Sequence, residues 1–493
     1  MKIFKIRHIA MLAISLLAAE GMSAFADSFP WWLPDEARYV VALASTNHPS
    51  LMASRLEHSA ASEDRLALDS FYEPSASVAG GVGRGPASAP EAGLSPYLPV
   101  DSSGLQGGVF VPLRAGAYVG AGVAQRRIDD ALTSGAEVWQ SIAGVRLNVP
   151  LLRDRGFALQ DAKEERADRI VEQRNEEFLS VLNGIRRDVA VALAYELYSG
   201  AVVEQYKKAL SRVETLLDET SDRVALETVA RYQVYPAEME VQFKLDDVRQ
   251  YSAAYTNAHF ALSQAVGGIE LPFATTGLLS EWAALCVTAD VDRVVAEFGK
   301  ELPEVKAARL AVEASRAREK ELEGSARSSL SLSAGISYQG ENEDFGIGTD
   351  ALLRDDKAGF DMALVWSRPF SFESEKAALR AQRARTQALR ERERLVRIAA
   401  ETRRRQAESL FIAATERMAV AQKALDAANK ALKSELERLS LGEGSSRSVL
   451  DAQTDLTSAE SRSNAIAYNV ICSFLDLMLA SGVDFGSALT ASE

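Results

Sequence analysis

Cysteine is nearly absent: Cys286 and Cys472 are the only two in 493 residues, which excludes a disulfide-dense scaffold. Histidine is as scarce, with His8, His48, His58 and His259, and none has a second His or Cys at metal-ligand spacing. Basic side chains number 55 against 69 acidic ones, a formal net charge of −14, so a basic nucleic-acid binder is excluded as a starting assumption. No apolar run reaches about 18 residues, so no membrane-spanning helix can be drawn in the mature chain. Gly80 to Gly85 is glycine-rich, but Pro86 follows it and no helix start is there to hold a phosphate. Together these absences point away from an enzyme, and no cofactor or metal is expected.

Residues 1–26 read as a signal peptide. Lys2, Lys5 and Arg7 precede the apolar stretch Ile9 to Ala19, and Ala24-Phe25-Ala26 offers small residues for cleavage. Export would put both cysteines in an oxidising compartment. Cys472 falls in an apolar helical stretch, which favours two separate thiols over a bridge.

Proline divides what remains. Most of the 14 prolines crowd between Pro30 and Pro112; after them come only Pro150, Pro236, Pro272, Pro303 and Pro369. The stretch 151–235 is proline-free, and 370–441 and 445–481 lack both Gly and Pro, so long helices are expected there. Apolar residues recur at steps of three and four: Phe178, Leu182, Ile185, Val189, Ala192, Tyr195, Val202, Tyr206, Ala209, Val213 and Leu216, then Ala414, Met418, Ala421, Leu425, Ala428 and Leu432. This is the pattern of helices packed along coiled-coil-like seams. A helix of roughly 70 residues makes a rod of about 100 Å.

Two halves repeat at an offset of 254 residues: Pro49 to Leu56 matches Pro303 to Leu310, and Pro74 to Gly81 meets Ser328 to Gly335. The expected layout is a first repeat over 27–267 with strands at about 73–151, an inter-repeat segment over 268–302, and a second repeat over 303–482. That second repeat holds strands at about 328–370, a long helix over 373–441 and a returning helix over 445–481, with a tail at 483–493. Strands announce themselves by alternation, in Leu330 to Tyr338, in Phe360, Met362, Leu364 and Trp366 with Asp361 on the opposite face, and in Val145, Leu147 and Val149. The stretch 105–124 alternates less cleanly around Arg114-Ala115-Gly116, and 86–104 and 340–356 read as loops.

Such alternation suits either a half-buried soluble sheet or a barrel facing lipid outside and water inside. Export and the aromatics Trp139, Trp366, Phe370 and Phe372 at segment ends, where a membrane-interface girdle lies, favour the barrel. Four or five strands cannot close alone, because a bilayer tolerates no open edge and single-chain barrels begin at about eight strands. Several chains must then pool them.

The segment Gly442 to Gln453, followed by Ala467-Tyr468-Asn469 and Ser481-Gly482, resembles the closing hairpin of the TolC-like outer-membrane efflux proteins (outer membrane factors), and Val149-Pro150-Leu151-Leu152-Arg153 is similar to their strand-to-helix crossing. The resemblance implies a mainly α chain with membrane β structure. Three protomers, with about four strands each, would complete a shared 12-stranded outer-membrane barrel above a periplasmic α-barrel. It implies a passive exit duct for a tripartite efflux or type I secretion system. Its partners would be a periplasmic adaptor (membrane fusion) protein, an inner-membrane transporter and outer-membrane lipid, with no nucleic acid. Asp451 matches an aspartate that constricts the periplasmic mouth, with Arg447 beside it as a second candidate gate residue. Leu439, Gly444 and Ser448 stand where members of the family carry a tyrosine, an arginine and a second acid. Arg447 and Asp451 also sit four residues apart on one helix face and suit a plain surface pair. Tyr235, Pro236, Leu441, Gly442 and Gly444 mark the helix tips, which in the family meet the adaptor; Pro236 equally suits the first turn of a returning helix. Acidic Asp218, Glu219, Asp222 and Glu227 lie near the first tip. Residues 376–405 carry 11 basic side chains, either a solvated helix face or a lumen-facing stripe that attracts anions. The alternative reading is an exported adaptor or coiled-coil spacer without a pore.

Overall fold

The computed structural model describes residues 32–86, 99–130, 137–153, 155–227, 230–274, 277–325, 327–342, 358–368, 371 and 373–483. The signal-peptide segment, Val229, Phe370, Phe372 and the tail beyond Val483 lie outside the described residues. In chain order the elements are α1 (Asp35–Asn47), α2 (Pro49–Ser70), β1 (Ser75–Pro86), β2 (Pro99–Pro112), β3 (Tyr118–Asp130), β4 (Glu137–Pro150), α3 (Ala158–Ala225) and α4 (Val234–Ala265). After these come α5 (Leu278–Thr288), α6 (Val291–Phe298), α7 (Pro303–Ser325), β5 (Ser329–Asn342), β6 (Ala358–Ser367), α8 (Glu373–Ser440) and α9 (Ser446–Ala480). The helices α3 and α8 each run for 68 residues, as the scarcity of Pro and Gly in these stretches permits.

Contacts divide the chain into two units. One comprises residues up to 57, 175–307 and from 394 onward. Its core gathers Trp32, Val41 and Leu51 with Val189, Leu193, Trp282, Ile471, Phe474 and Met478. The Trp32 ring meets Phe474 edge-on at 5.2 Å. The C-terminal part of α9 is long and apolar enough by composition to cross a membrane, against the expectation from uninterrupted runs, yet half of that window is buried inside the fold. Val470, Ile471, Phe474 and Leu475 are core residues, so α9 is apolar because it is internal. Tyr195, read as part of the packed stripe, is instead exposed and lies 5.8 Å edge-on from Tyr468. Both cysteines are free thiols, and burial pushes the Cys286 thiol far above its ordinary range.

A buried polar contact fastens α3 to α4. Glu196 is fully buried, its Oε1 lies 2.9 Å from His259 Nδ1 and accepts the Ala274 backbone N–H at 3.4 Å, and Phe273 stacks on the imidazole at 4.0 Å. The second unit, residues 58–174 and 308–393, carries all the described strands. They form one antiparallel sheet in sequence order, β1 to β6. Six strands stand where about four were expected: 105–124 is two strands, β2 and β3, joined by a tight turn in which Leu113 N donates to Ala117 O at 2.7 Å. The expected loops 86–104 and 340–356 are correspondingly shorter, because β2 begins at Pro99 and β5 runs on to Asn342.

Helices of this unit line up in the same order as the strands. Arg65 of α2 reaches Asp168 of α3 at 2.6 Å. From α3, Arg166 reaches Glu321 of α7 at 2.9 Å and Arg169 reaches Glu313 at 3.1 Å. From α8, Gln382 Nε2 donates to Ser315 Oγ at 2.8 Å and Arg383 pairs with Glu323 at 2.7 Å. The order is α2–α3–α7–α8. One test of the packing concerns His259. His259→Leu strands Glu196 without its side-chain partner and is expected to cost about 3 kcal/mol, read as a lowered denaturant midpoint, while adding Glu196→Leu restores most of the loss.

Candidate functional site

Two features carry the functional argument: the faces of the sheet and the tips of the long helices. Register fixes which side chains share a face. One row runs Ala76, Val109, Ala121, Val145, Ile336, Phe360 across all six strands, and the next adds Val111, Val119, Leu147, Ala334 and Met362. These rows are apolar, yet no described residue covers them: Val78 is 78% exposed and Phe360 70%. Toward the far rim the same face turns polar at Gln125, Arg127 and Ser141. Trp366 sits on it in the row with Leu330, near the start of α8, and Trp139 lies on the same face in the row with Arg127 and Asn342, at the far rim. The guanidinium of Arg127 rests 6.0 Å from the centre of the Trp139 ring.

The other face is mostly small or polar, with Phe110, Tyr118, Ile142 and Val365 as its larger apolar members. One of its rows reads Ser77, Gly108, Gly122, Gly144, Ser337, Gly359. A neighbouring row holds Arg146 and Asp361 on either side of Gly335. Their charges meet over that glycine, Arg146 Nη2 to Asp361 Oδ2 at 3.4 Å, and a Cβ at position 335 would lie 2.5 Å from Asp361 Oδ1. Both partners are half-exposed, so the pair contributes little to stability. Sequence reading set both Asp361 and Arg146 on the phase opposite the apolar one but did not pair them, since they lie 215 residues apart in the chain.

At the second helix tip, α8 stops at Gly442, whose φ is +77°, with Glu443 N donating to Arg438 O at 2.9 Å and Gly442 N to Leu439 O at 3.2 Å. Gly444 N donates to Arg438 O at 3.0 Å, and a Cβ on Gly444 would come within 2.8 Å of Leu439 N. An arginine there has no room unless the turn opens. Ser448 closes a capping box with Ser445, donating its backbone N–H to Ser445 Oγ at 3.2 Å. Leu439 is buried with Val213, Leu216, Leu432, Val449 and Leu456. All three departures from the efflux-channel pattern therefore serve the turn and its packing.

Arg447 and Asp451 face each other at 3.4 Å with side chains 73% and 66% exposed, a surface pair within one helix. The first tip is a 3-10 turn, Arg231–Gln233, that runs into α4, and Pro236 occupies the first turn of that helix, where its missing N–H costs nothing. The helix thus begins at Val234, slightly before the proline. Tyr235 and Leu441 are exposed, as are Leu226 and Tyr232. The expected first tip, 229–235, takes in Tyr232 but not Leu226. The two tips belong to one packed end: Thr220 and Ser446 hydroxyls lie 3.1 Å apart, and Arg223 Nη1 donates to Leu439 O at 3.2 Å. Among the described residues no cluster of three His, Cys, Asp or Glu is placed to hold a metal ion.

These features define a class: the fold is that of the outer-membrane channels, so the likeness first read at the helix tips extends over nearly the whole chain. Similar solved structures include VceC from Vibrio cholerae (TM-score 0.67, 16% identity, 91% of this chain and 97% of that one). The open state of the Neisseria gonorrhoeae MtrE channel (0.66, 15%, 93% and 92%) and the Campylobacter jejuni CmeC channel (0.65, 12%, 93% and 87%) are similar too. No family model matches the sequence, and no curated protein matches it.

Substitutions at the tip separate turn from surface. Gly444→Arg is expected to cost about 1–3 kcal/mol through overcrowding of the turn, whereas Asp451→Ala should change stability by no more than about 0.5 kcal/mol. Thermal unfolding followed by circular dichroism measures both.

Proposed function

We propose that the chain is one protomer of a trimeric outer-membrane channel, the passive exit duct of a tripartite efflux or type I secretion system. The observation that carries this reading is the sheet: one face with an apolar band across all six strands, one mostly small or polar face, and two edges, on β1 and β6, with no partner among the described residues. In hydrocarbon each unsatisfied backbone group costs several kcal/mol, so such a strip is stable in a bilayer only when copies close it into a cylinder. The apolar face then meets lipid, Trp139 and Trp366 sit at the two membrane interfaces, and the Arg146–Asp361 pair faces water in the lumen. A soluble adaptor or spacer would bury the apolar face instead. The two halves fit a duplicated unit, since α2 and α7 begin 254 residues apart, as do β1 and β5.

Cargo is moved by a partner, and no chemistry is asked of the channel. A periplasmic adaptor would meet the exposed apolar tips at Leu226, Tyr232, Tyr235 and Leu441, passing cargo from an inner-membrane transporter. Asp451 narrows the mouth in this reading, and pairing with Arg447 holds it in place without a buried lock. Residues 376–405 give the upper part of α8 a basic surface suited to anionic cargo.

Val145→Arg puts a charge on the lipid face and is expected to cost about 2–4 kcal/mol at mid-bilayer, so heat-resistant oligomers should disappear from the outer-membrane fraction, while Gln106→Arg on the opposite face leaves them intact. In planar bilayers the wild type should give discrete channel currents, and Asp451→Ala should raise single-channel conductance. A chain that stays monomeric in detergent-free buffer overturns the proposal.

A further inference from the structure

The strand count has a consequence for pore size. In the second half α7 leads into β5, and β6 leads into α8, so every strand continues into a helix. In the first half α2 leads into β1 and β4 leads towards α3, but β2 and β3 lie between them and connect to no helix. They form an extra hairpin. It is built into the wall rather than appended to it, because β2 pairs along its length with β1 and β3 with β4. Both faces continue through it: Val109 and Ala121 carry the apolar row, and Gly108 and Gly122 the small one.

Its turn is also fastened. Arg114 pairs with Glu164 of α3 at 3.2 Å and lies 5.8 Å from the centre of the Tyr72 ring, and Gly156 N donates to Ala115 O at 3.2 Å. The turn therefore occupies the rim where the other strands meet helices.

Widths agree with this. Strands about 4.8 Å apart and tilted about 40° each take about 6.3 Å of circumference, so six occupy about 38 Å and four only about 25 Å. Four helices side by side at about 8–10 Å occupy about 32–40 Å. The six-stranded strip is about as wide as the layer α2–α3–α7–α8 of the same unit.

Resting on the trimeric reading, we infer that three copies close an 18-stranded barrel, β1 of each pairing with β6 of the next, instead of a 12-stranded one. The backbone diameter becomes about 36 Å rather than about 24 Å, since diameter grows roughly in proportion to strand number. The membrane section then admits bulky hydrated solutes, and selection by size falls to the periplasmic mouth.

The test compares wild type with a variant lacking residues 99–130, which joins β1 to β4 through the remaining loop residues and keeps the two antiparallel. Both are reconstituted as full oligomers in planar bilayers, and polyethylene glycols of graded size are added from the extracellular side. The largest polymer that lowers the current should have a radius about 1.5-fold greater in wild type than in the deletion. As an independent measure, Val123→Cys and Ala124→Cys are made with Cys286→Ser and Cys472→Ser. A charged, membrane-impermeant thiol reagent should modify the lumen-facing Ala124→Cys and spare the lipid-facing Val123→Cys, and this readout decides the matter if the deletion fails to assemble. Channels with equal polymer limits, or equal modification of the two cysteines, remove the hairpin from the wall while leaving the channel reading intact. An absence of channel currents in wild type overturns the reading itself.

Discussion

The backbone of two strand edges governs this protein. In water, unpaired N–H and C=O groups on β1 and β6 would be solvated at little cost; against hydrocarbon they have no partner except another strand. In the proposed channel the apolar row from Ala76 to Phe360 faces lipid, and the open edges forbid the sheet to stay there alone. On the channel reading proposed above, membrane insertion and association are one requirement. A closed single-chain barrel would satisfy its own edges, but six strands fall below the smallest such barrels.

The helical part solves a different problem. Helices α3 and α8 are too long to be buried on all sides throughout: the middle of α3 is buried on most sides, whereas α8 commits one stripe to its neighbours. Along α8 that stripe is Ala400, Ala407, Ala414 and Ala421, a seven-residue spacing of small side chains that lets helices approach closely. Polar contacts add register: Gln205 donates to the Thr457 carbonyl at 2.7 Å and to Ser461 Oγ at 2.6 Å, and Arg212 reaches Glu460 at 3.3 Å. These bonds mate α3 with α9 at defined positions, where apolar seams alone would tolerate sliding.

Helices were far more legible in the sequence than strands. A stretch without Gly or Pro over 370–441 coincides with α8, because those two residues are the ones a helix interior excludes. Strands β2 and β3 were obscured by Gly104, Gly107, Gly108, Gly120 and Gly122, residues of low strand propensity that only their neighbours hold in a sheet. The turn at Arg114-Ala115-Gly116 was visible; that it separated two full strands was not. At the helix tips, position 444 could be matched to a family pattern but not explained. The explanation is a steric one, the nearness of Leu439 N, which belongs to the folded turn.

The hairpin of β2 and β3 leaves and rejoins the sheet on the same side, so β1 and β4 keep their opposed directions whether it is there or not. A lineage can therefore gain or lose such a pair without rerouting any helix. In the proposed trimer, bore width becomes a quantity that evolution changes in even steps.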